Sequence, residues 1–386
     1  MPVEYRSFKH WDAIYNEFIT DTPNVEENDW NDDESIINFA NCILDINTGA
    51  QKQHGPEYLS TNQIPCAYNP DATIDDAPNF RKVMDDIFDS DPIAGSFLLS
   101  FMGAVLSNVK GWRFKKCLLC VGPGNTGKSL LRELVMHLVG LENCVSIDLK
   151  KLNERFGTSA LYGKRLAGSG DMAFVELPEV NALKQLTGGD ELFAEYKGKD
   201  SFTFRYNGLI WCNCNRLPYF RSDRGKHVYE RFLIVQFPNI IPPEKRDPLL
   251  LDKLLAEKDV IASIAVKAFM PTIQDGYKFP ESEAMVCARE FYEIENSSLL
   301  TFVNECCTRG QGETHRADFN RRYFQWCKAN HIQPERPREI GDQLEKGFGI
   351  TSRKTRGHFV YNLTINDEAL VDIENIFGQD RSEQRY

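Results

Sequence analysis

Residues Gly122 to Ser129 read GPGNTGKS, between the apolar run CLLCV (Cys117–Val121) and the helix-like LLRELVMHL (Leu130–Leu138). Strand, glycine loop and helix in that order are the setting in which the pattern G-x4-G-K-S holds phosphate. Gly122, Gly124 and Gly127, with Asn125 and Thr126, let the backbone turn its N–H groups onto phosphate oxygens. Lys128 supplies a cation for the β- and γ-phosphates, and Ser129 a hydroxyl for Mg²⁺. ATP and Mg²⁺ are therefore the expected cofactors.

Working outward, apolar runs alternate with helical segments from Lys110 to about Phe237: FKKCLLCV, CVSIDL, RLAGSGD, GLIWCNCN and RFLIVQF. This alternation predicts an α/β fold, a P-loop ATPase core with a parallel sheet flanked by helices. Hydrolysis also requires an acid to hold the metal and a polar group near the γ-phosphate. RLAGSGD ends at Asp171, where a second-strand acid belongs, and IWCNCN ends at Asn215. Taken without the loop upstream, Asp171 would read as a helix cap and Asn215 as a turn before Pro218.

Between those two strands lies ELFAEYKGKDSFTFRY, two alternating runs meeting at Lys197-Gly198-Lys199-Asp200, which predicts a hairpin with a basic tip. Lysines at such a tip grip phosphates without reading sequence, and Tyr196 is placed to stack on a base. From Ser297 onward three helices (SLLTFVNECC, ADFNRRYFQWCKAN, PREIGDQLEKGF) precede the hairpin ITSRKTRGHFVYNLTI, the order of a winged helix. Its tip carries Arg353, Lys354 and Arg356, and Arg338 lies at the start of the third helix. Charges so placed point to duplex DNA, with a protein contact as the alternative.

The 386 residues exceed what one core usually supports. We expect three parts: an acidic α+β segment over 1–92, an ATPase domain over 93–290 and a winged-helix domain over 291–386. Residues 1–92 hold 5 Lys and Arg against 19 Asp and Glu, a net of −14, whereas the rest holds 40 against 37, a net of +3. The acidic front end hides a mildly basic body, so nucleic acid stays open as a partner despite an overall charge of −11. Hydrophobic content of 42% and charged content of 26% fit neither a disordered chain nor a membrane protein.

The uncharged run Pro92–Val109 has a stripe of small residues, Ser96, Ser100, Gly103 and Ser107, and reads as a helix buried in protein rather than a membrane span. In the front end, Asn47-Thr48-Gly49 marks a hairpin and Asp75–Pro92 a helix with an acidic exposed face. DWNDDE lacks the glycine of a calcium loop. Eleven cysteines and no visible leader suggest a reducing cytoplasm. The pairs Cys117/Cys120 and Cys212/Cys214 lie inside apolar strand runs, which suits buried thiols better than zinc.

The chain resembles the superfamily 3 helicases, in particular the helicase part of the primase-helicases of phages, plasmids and poxviruses. The likeness runs from about Asn38 to the terminal hairpin. It is carried by NFANCILDINTG, EYLSTNQIPCAYNPDA, GPGNTGKS, KQLTGGDELFAEYKGKDSFTF, IWCNCN and RGKHVYERFLIVQFPNIIPPEKRDP. The resemblance implies an AAA+ type hexameric ring that hydrolyses ATP between subunits and moves 3′ to 5′ on single-stranded DNA, opening forks. It makes Lys128 and Ser129 nucleotide ligands, Asp171 the Walker B acid that shares Mg²⁺ with Ser129, Asn215 sensor 1 and Arg231 the arginine finger. It also places the Lys197/Lys199 hairpin in the channel and adds Lys184 to the DNA contacts. Relatives often carry two successive arginines where this chain has Glu230-Arg231, so Arg224 or Arg221 is an alternative finger. Glu176 is the candidate general base.

Residues 1–92 lack a spaced primase acid pattern, so priming would need a separate primase or another route, while the acidic segment is expected to serve as an assembly collar. The alternatives are an ATP-dependent initiator or loader that assembles on DNA with little unwinding, and a metabolic phosphate-loop kinase.

Overall fold

Short β-branched runs close the front of the molecule. In the computed structural model, β1 (Ile36–Asn38), β2 (Ile43–Asp45) and β3 (Gln51–Lys52) form an antiparallel sheet in that order. The β2–β3 turn uses the expected Asn47-Thr48-Gly49, whose first two N–H groups donate to the Asp45 carboxylate, both at 3.1 Å. The structure describes residues 30–366 apart from 155, 173–175, 178–179, 199, 221–225, 331, 333 and 356; at 176, 177, 219, 220, 226, 295 and 346 it describes the backbone alone.

Two helices follow, Pro78–Phe88 and Pro92–Leu106. The first buries Phe80, Val83 and Ile87 and leaves Asp85 and Asp86 exposed. The second is the uncharged run, capped by Asp91, which accepts from the Ala94 N–H at 3.1 Å. Its small residues serve packing inside the protein. A Cβ on Gly103 would stand 2.2 Å from the Ala265 carbonyl oxygen of the helix Lys258–Gln274, and Ser100 shares a hydrogen bond with Thr272 of that helix at 2.9 Å. Arg165, fully buried, donates to the Ala104 and Val109 carbonyls at the far end, both at 3.2 Å. Burial lowers its pKa to about 10. Among the described residues no helix is long and apolar enough to cross a membrane.

The centre is a five-stranded sheet of β4 (Cys117–Val121), β5 (Cys144–Ser146), β6 (Leu166–Gly168), β10 (Leu209–Cys214) and β12 (Phe232–Gln236), ordered β12-β4-β10-β6-β5. Every pairing within it is parallel, as the alternating text predicts. Between β6 and β10 lie β7 (Glu176–Leu177), the helix Asn181–Gly188 and the hairpin of β8 (Glu191–Glu195) and β9 (Ser201–Arg205). β7 pairs in parallel with β11 (Tyr219–Phe220). Leu118 and Cys120 of β4 join a core that runs from Ile37 through both front helices to the loop helix Lys128–Val139 and on to Phe269. Cys117 and Leu119 face a second core with Cys212, Leu183 and Tyr292. The front segment thus shares one core with the sheet across the boundary expected at residue 92. The boundary expected at 290 falls inside the helix Glu283–Asn296, which packs along β12.

The end of the chain forms a third core. The helices Ser298–Cys306, Arg316–Ala329 and Ile340–Phe348 pack on an antiparallel sheet of β13 (Cys307–His315), β14 (Ser352–Thr355) and β15 (His358–Ile365), ordered β13-β15-β14. Phe302 lies at its centre against Phe319, Tyr323 and Trp326. Each such fully buried side chain contributes about 1.5–3 kcal/mol. The three helices and the terminal hairpin follow the sequence reading. β13 is an addition: CTRGQGETH is almost wholly exposed, pairs on one edge only and has no apolar alternation to announce it.

Candidate nucleotide site and nucleic-acid surfaces

The glycine loop leaves β4 at the carboxyl edge of the sheet, where open parallel sheets place ligands. The Gly122 N–H donates to the Cys214 carbonyl at 3.2 Å, and a Cβ at Gly122 would meet the Phe237 carbonyl oxygen at 2.2 Å. Only glycine permits that approach. Gly127 has φ +92° and, with Asn125 at +61°, turns the chain into the helix Lys128–Val139. Gly124 borders open space, and the Asn125 carbonyl accepts from the Ile241 N–H at 2.8 Å, which holds the loop from above.

Lys128 is 7% exposed. Its ammonium donates to the Gly122 carbonyl at 2.7 Å, the Pro123 carbonyl at 2.6 Å and Thr126 Oγ1 at 3.2 Å. Burial lowers its pKa, and the Asp171 carboxylate is among the charges that oppose the shift. The cation therefore sits inside the concavity formed by its own loop, where phosphate oxygens would replace the carbonyls. Ser129 Oγ donates to the Gly170 carbonyl at 3.4 Å, next to the exposed Asp171. Asp171 in turn precedes Met172, whose N–H donates to Asn213 of β10 at 2.8 Å. The hydroxyl, the carboxylate and the lysine thus converge. Asn215, exposed, follows directly on the Cys214 that holds Gly122. A hydroxyl beside a carboxylate is a donor set suited to a hard cation such as Mg²⁺.

Sequence reasoning misses Arg132, one turn beyond Lys128. It is 4% exposed, and its guanidinium donates to the Gly168 carbonyl at 2.7 Å and the Trp211 carbonyl at 3.3 Å. A Cβ on Gly170 would lie 3.6 Å from its Nη1. Burial lowers its pKa. The only signal in the text is a charge on the buried side of an amphipathic helix.

Arg231 stands at the opposite edge of the sheet. Its carbonyl accepts from the Cys117 N–H at 2.7 Å, and Phe232 pairs with Cys117, so one strand length, roughly 16 Å, separates it from the loop of its own chain. Its Nη1 donates to Thr187 Oγ1 at 2.6 Å and the Lys184 carbonyl at 3.4 Å. Arg221 and Arg224 lie outside the described residues, as does the side chain of Glu176.

The DNA candidates fall into two groups. At the β8–β9 hairpin, Lys197 is exposed beside Gly198, which has φ +77°. Tyr196 stacks on Phe202 with ring centroids 5.3 Å apart. Lys184 is half-buried on the neighbouring helix, and Lys199 lies outside the described residues. At the terminal hairpin, Lys354 is exposed, Arg353 pairs with Glu313, and Arg338 lies 3.5 Å from Glu339. Arg356 lies outside the described residues.

Two family models match the chain: "D5 N terminal like" over residues 4–89 and "Family of unknown function (DUF5906)" over residues 120–231. "Putative helicase 121R" of Invertebrate iridescent virus 3 is 23% identical over 394 residues, covering 92% of this chain. The match to the D5 N-terminal model and the likeness to a viral putative helicase support the resemblance to the phage and virus primase-helicases. The chain spans 40% of that viral relative's length. Among solved structures, the apo C-terminal region of NrS-1 aligns with TM-scores of 0.42 and 0.46 in two forms, both at 13% identity. The first covers 86% of this chain and 96% of the other, the second 93% and 90%.

Proposed function

We propose that this primase-helicase relative is an ATP-driven DNA helicase of the superfamily 3 type. In this reading it works as a hexameric ring moving 3′ to 5′ along single-stranded DNA during replication of a phage, plasmid or related element. The observation that carries the reading is the convergence of Lys128, Ser129 and Asp171 at one edge of a parallel sheet whose β6–β10 connection carries a lysine-tipped hairpin. Bound ATP supplies the phosphoanhydride whose cleavage drives the cycle. Lys128 and the loop N–H groups hold its phosphates, Ser129 and Asp171 hold Mg²⁺, and Asn215 orients the attacking water. The hairpin sits in the connection between the two strands that bear Asp171 and Asn215, so a change at the phosphates reaches Lys197 through the sheet. Arg231 would complete a neighbour's site, because a planar fixed charge suits charge developing in the transition state.

Purified protein with Mg²⁺ and ATP is expected to separate a 3′-tailed duplex, and Lys128→Ala to abolish separation; normal unwinding by that variant refutes the assignment. The hold of Thr187 on Arg231 favours a second reading, an initiator or loader in which the finger is not deployed. That protein would hydrolyse ATP on DNA without separating strands.

A further inference from the structure

The terminal three-helix unit has the layout in which a third helix enters a duplex groove. Its charges do not suit that use. The helix Ile340–Phe348 exposes Asp342 and Glu345, and Lys346 is its one basic residue. The arginines before it, Arg336 and Arg338, both lie beside Glu339, at 3.7 and 3.5 Å. A helix edge of this charge repels phosphate from both sides of a groove.

The cations collect instead near the tip of the β14–β15 hairpin, one residue pair from its turn. Lys354 and Phe359 are directly opposed across the two strands and so share one face. Phe359 is 45% exposed, and the guanidinium carbon of Arg316 stands over its ring at 5.1 Å from the centroid. Among the described residues neither Arg316 nor Lys354 has a carboxylate partner. On the opposite face Arg353 is neutralised by Glu313, and His315 packs edge-on against His358. One side of the ribbon thus presents an open aromatic ring backed by one cation and flanked by another, while the other side is balanced.

An open ring between two unpaired cations is the arrangement that holds unpaired bases, by stacking plus phosphate attraction. Inside a duplex each base face is already covered by its stacked neighbours. We infer that the terminal unit grips single-stranded DNA at a fork, with a base stacked on Phe359 and its phosphates against Lys354 and Arg316, rather than reading a duplex groove with the helix Ile340–Phe348. This rests on the proposed DNA role and names the form of DNA the unit takes.

The test is fluorescence anisotropy of the full chain carrying Lys197→Ala, which weakens the other DNA contact, on an oligo-dT strand, a dT-tailed duplex and the same duplex with blunt ends. Phe359→Ala is expected to weaken the dT strand and the tailed duplex roughly tenfold, within what one base–ring stack supplies, and to leave the blunt duplex unchanged. Phe359→Trp keeps a ring and is expected to bind like the parent. Equal loss on all three probes, or none, overturns the platform. If Lys354→Ala still weakens binding in that case, DNA contact by the unit stands and only the stacking fails. If neither variant weakens any probe, the unit's DNA role fails with it.

Discussion

Arg132 Nη2 lies 2.7 Å from the Gly168 carbonyl oxygen, which ties the helix that carries Lys128 and Ser129 to the strand that leads to Asp171. The same guanidinium reaches Trp211 on β10, which leads to Asn215. A cation buried at this depth without a carboxylate is costly unless main-chain oxygens satisfy it. Here they do, and they are the oxygens that fix the spacing of the site.

Arg132 is therefore a positioning residue. Arg132→Lys keeps the charge and loses the fork, so it is expected to fold, to bind nucleotide with unchanged KM, and to lower kcat about tenfold. Arg132→Met leaves the carbonyls unsatisfied and is expected to lower stability by about 1–3 kcal/mol per lost partner. Steady-state ATPase assays and denaturant unfolding distinguish the two; an equal fall in stability with no kcat change in the lysine variant marks a purely structural residue.

Lys128 and Asp171 are expected to separate in their effects. Lys128→Ala removes the cation at the phosphates and weakens binding of a fluorescent ATP analogue, whereas Asp171→Asn still binds the analogue and lowers phosphate release by about 10² or more. Loss of analogue binding in both variants to the same degree counts against the assigned roles.

At the hairpin, Lys197→Ala leaves the nucleotide site untouched. ATP turnover without DNA should match the parent, while stimulation by single-stranded DNA and strand separation fall together. A variant that unwinds normally removes the hairpin from the mechanism.

The front segment is clamped to the turn Gly111–Arg113, which leads into β4, by Glu34, whose carboxylate accepts from Arg113 at 2.6 and 2.7 Å and from the Lys110 N–H at 3.0 Å. Burial pushes its pKa up, but these donors outweigh it and hold the group below its ordinary 4.5. A depressed folded pKa contributes stability above the unfolded value, and that contribution is lost as pH falls through the folded one. Glu34→Gln is accordingly expected to lower the Tm at neutral pH, with the gap closing below about pH 4.5. A gap that widens in acid contradicts this.

The glycine loop and the presence of a parallel sheet were legible because short apolar runs alternate with helical text, with β4, β6 and β10 leading to Gly122, Asp171 and Asn215. Arg132 was not, since its burial depends on contacts with Gly168 and Trp211, 36 and 79 positions away. The same limit applies to Arg231: its contact with Thr187 depends on how a helix packs, which no local pattern encodes. β13 escaped because an exposed edge strand needs no apolar alternation. Its partner β15 was readable, with Val360, Tyr361, Leu363 and Ile365 all buried.

The most direct test is imaging of the protein with an ATP analogue and forked DNA. The account predicts a closed ring in which the Lys197 tips line a central opening and meet the phosphates of one strand, with Lys128 and Asp171 facing the nucleotide at each subunit boundary. A monomeric active species, or an assembly whose β8–β9 hairpins point away from the DNA, contradicts it.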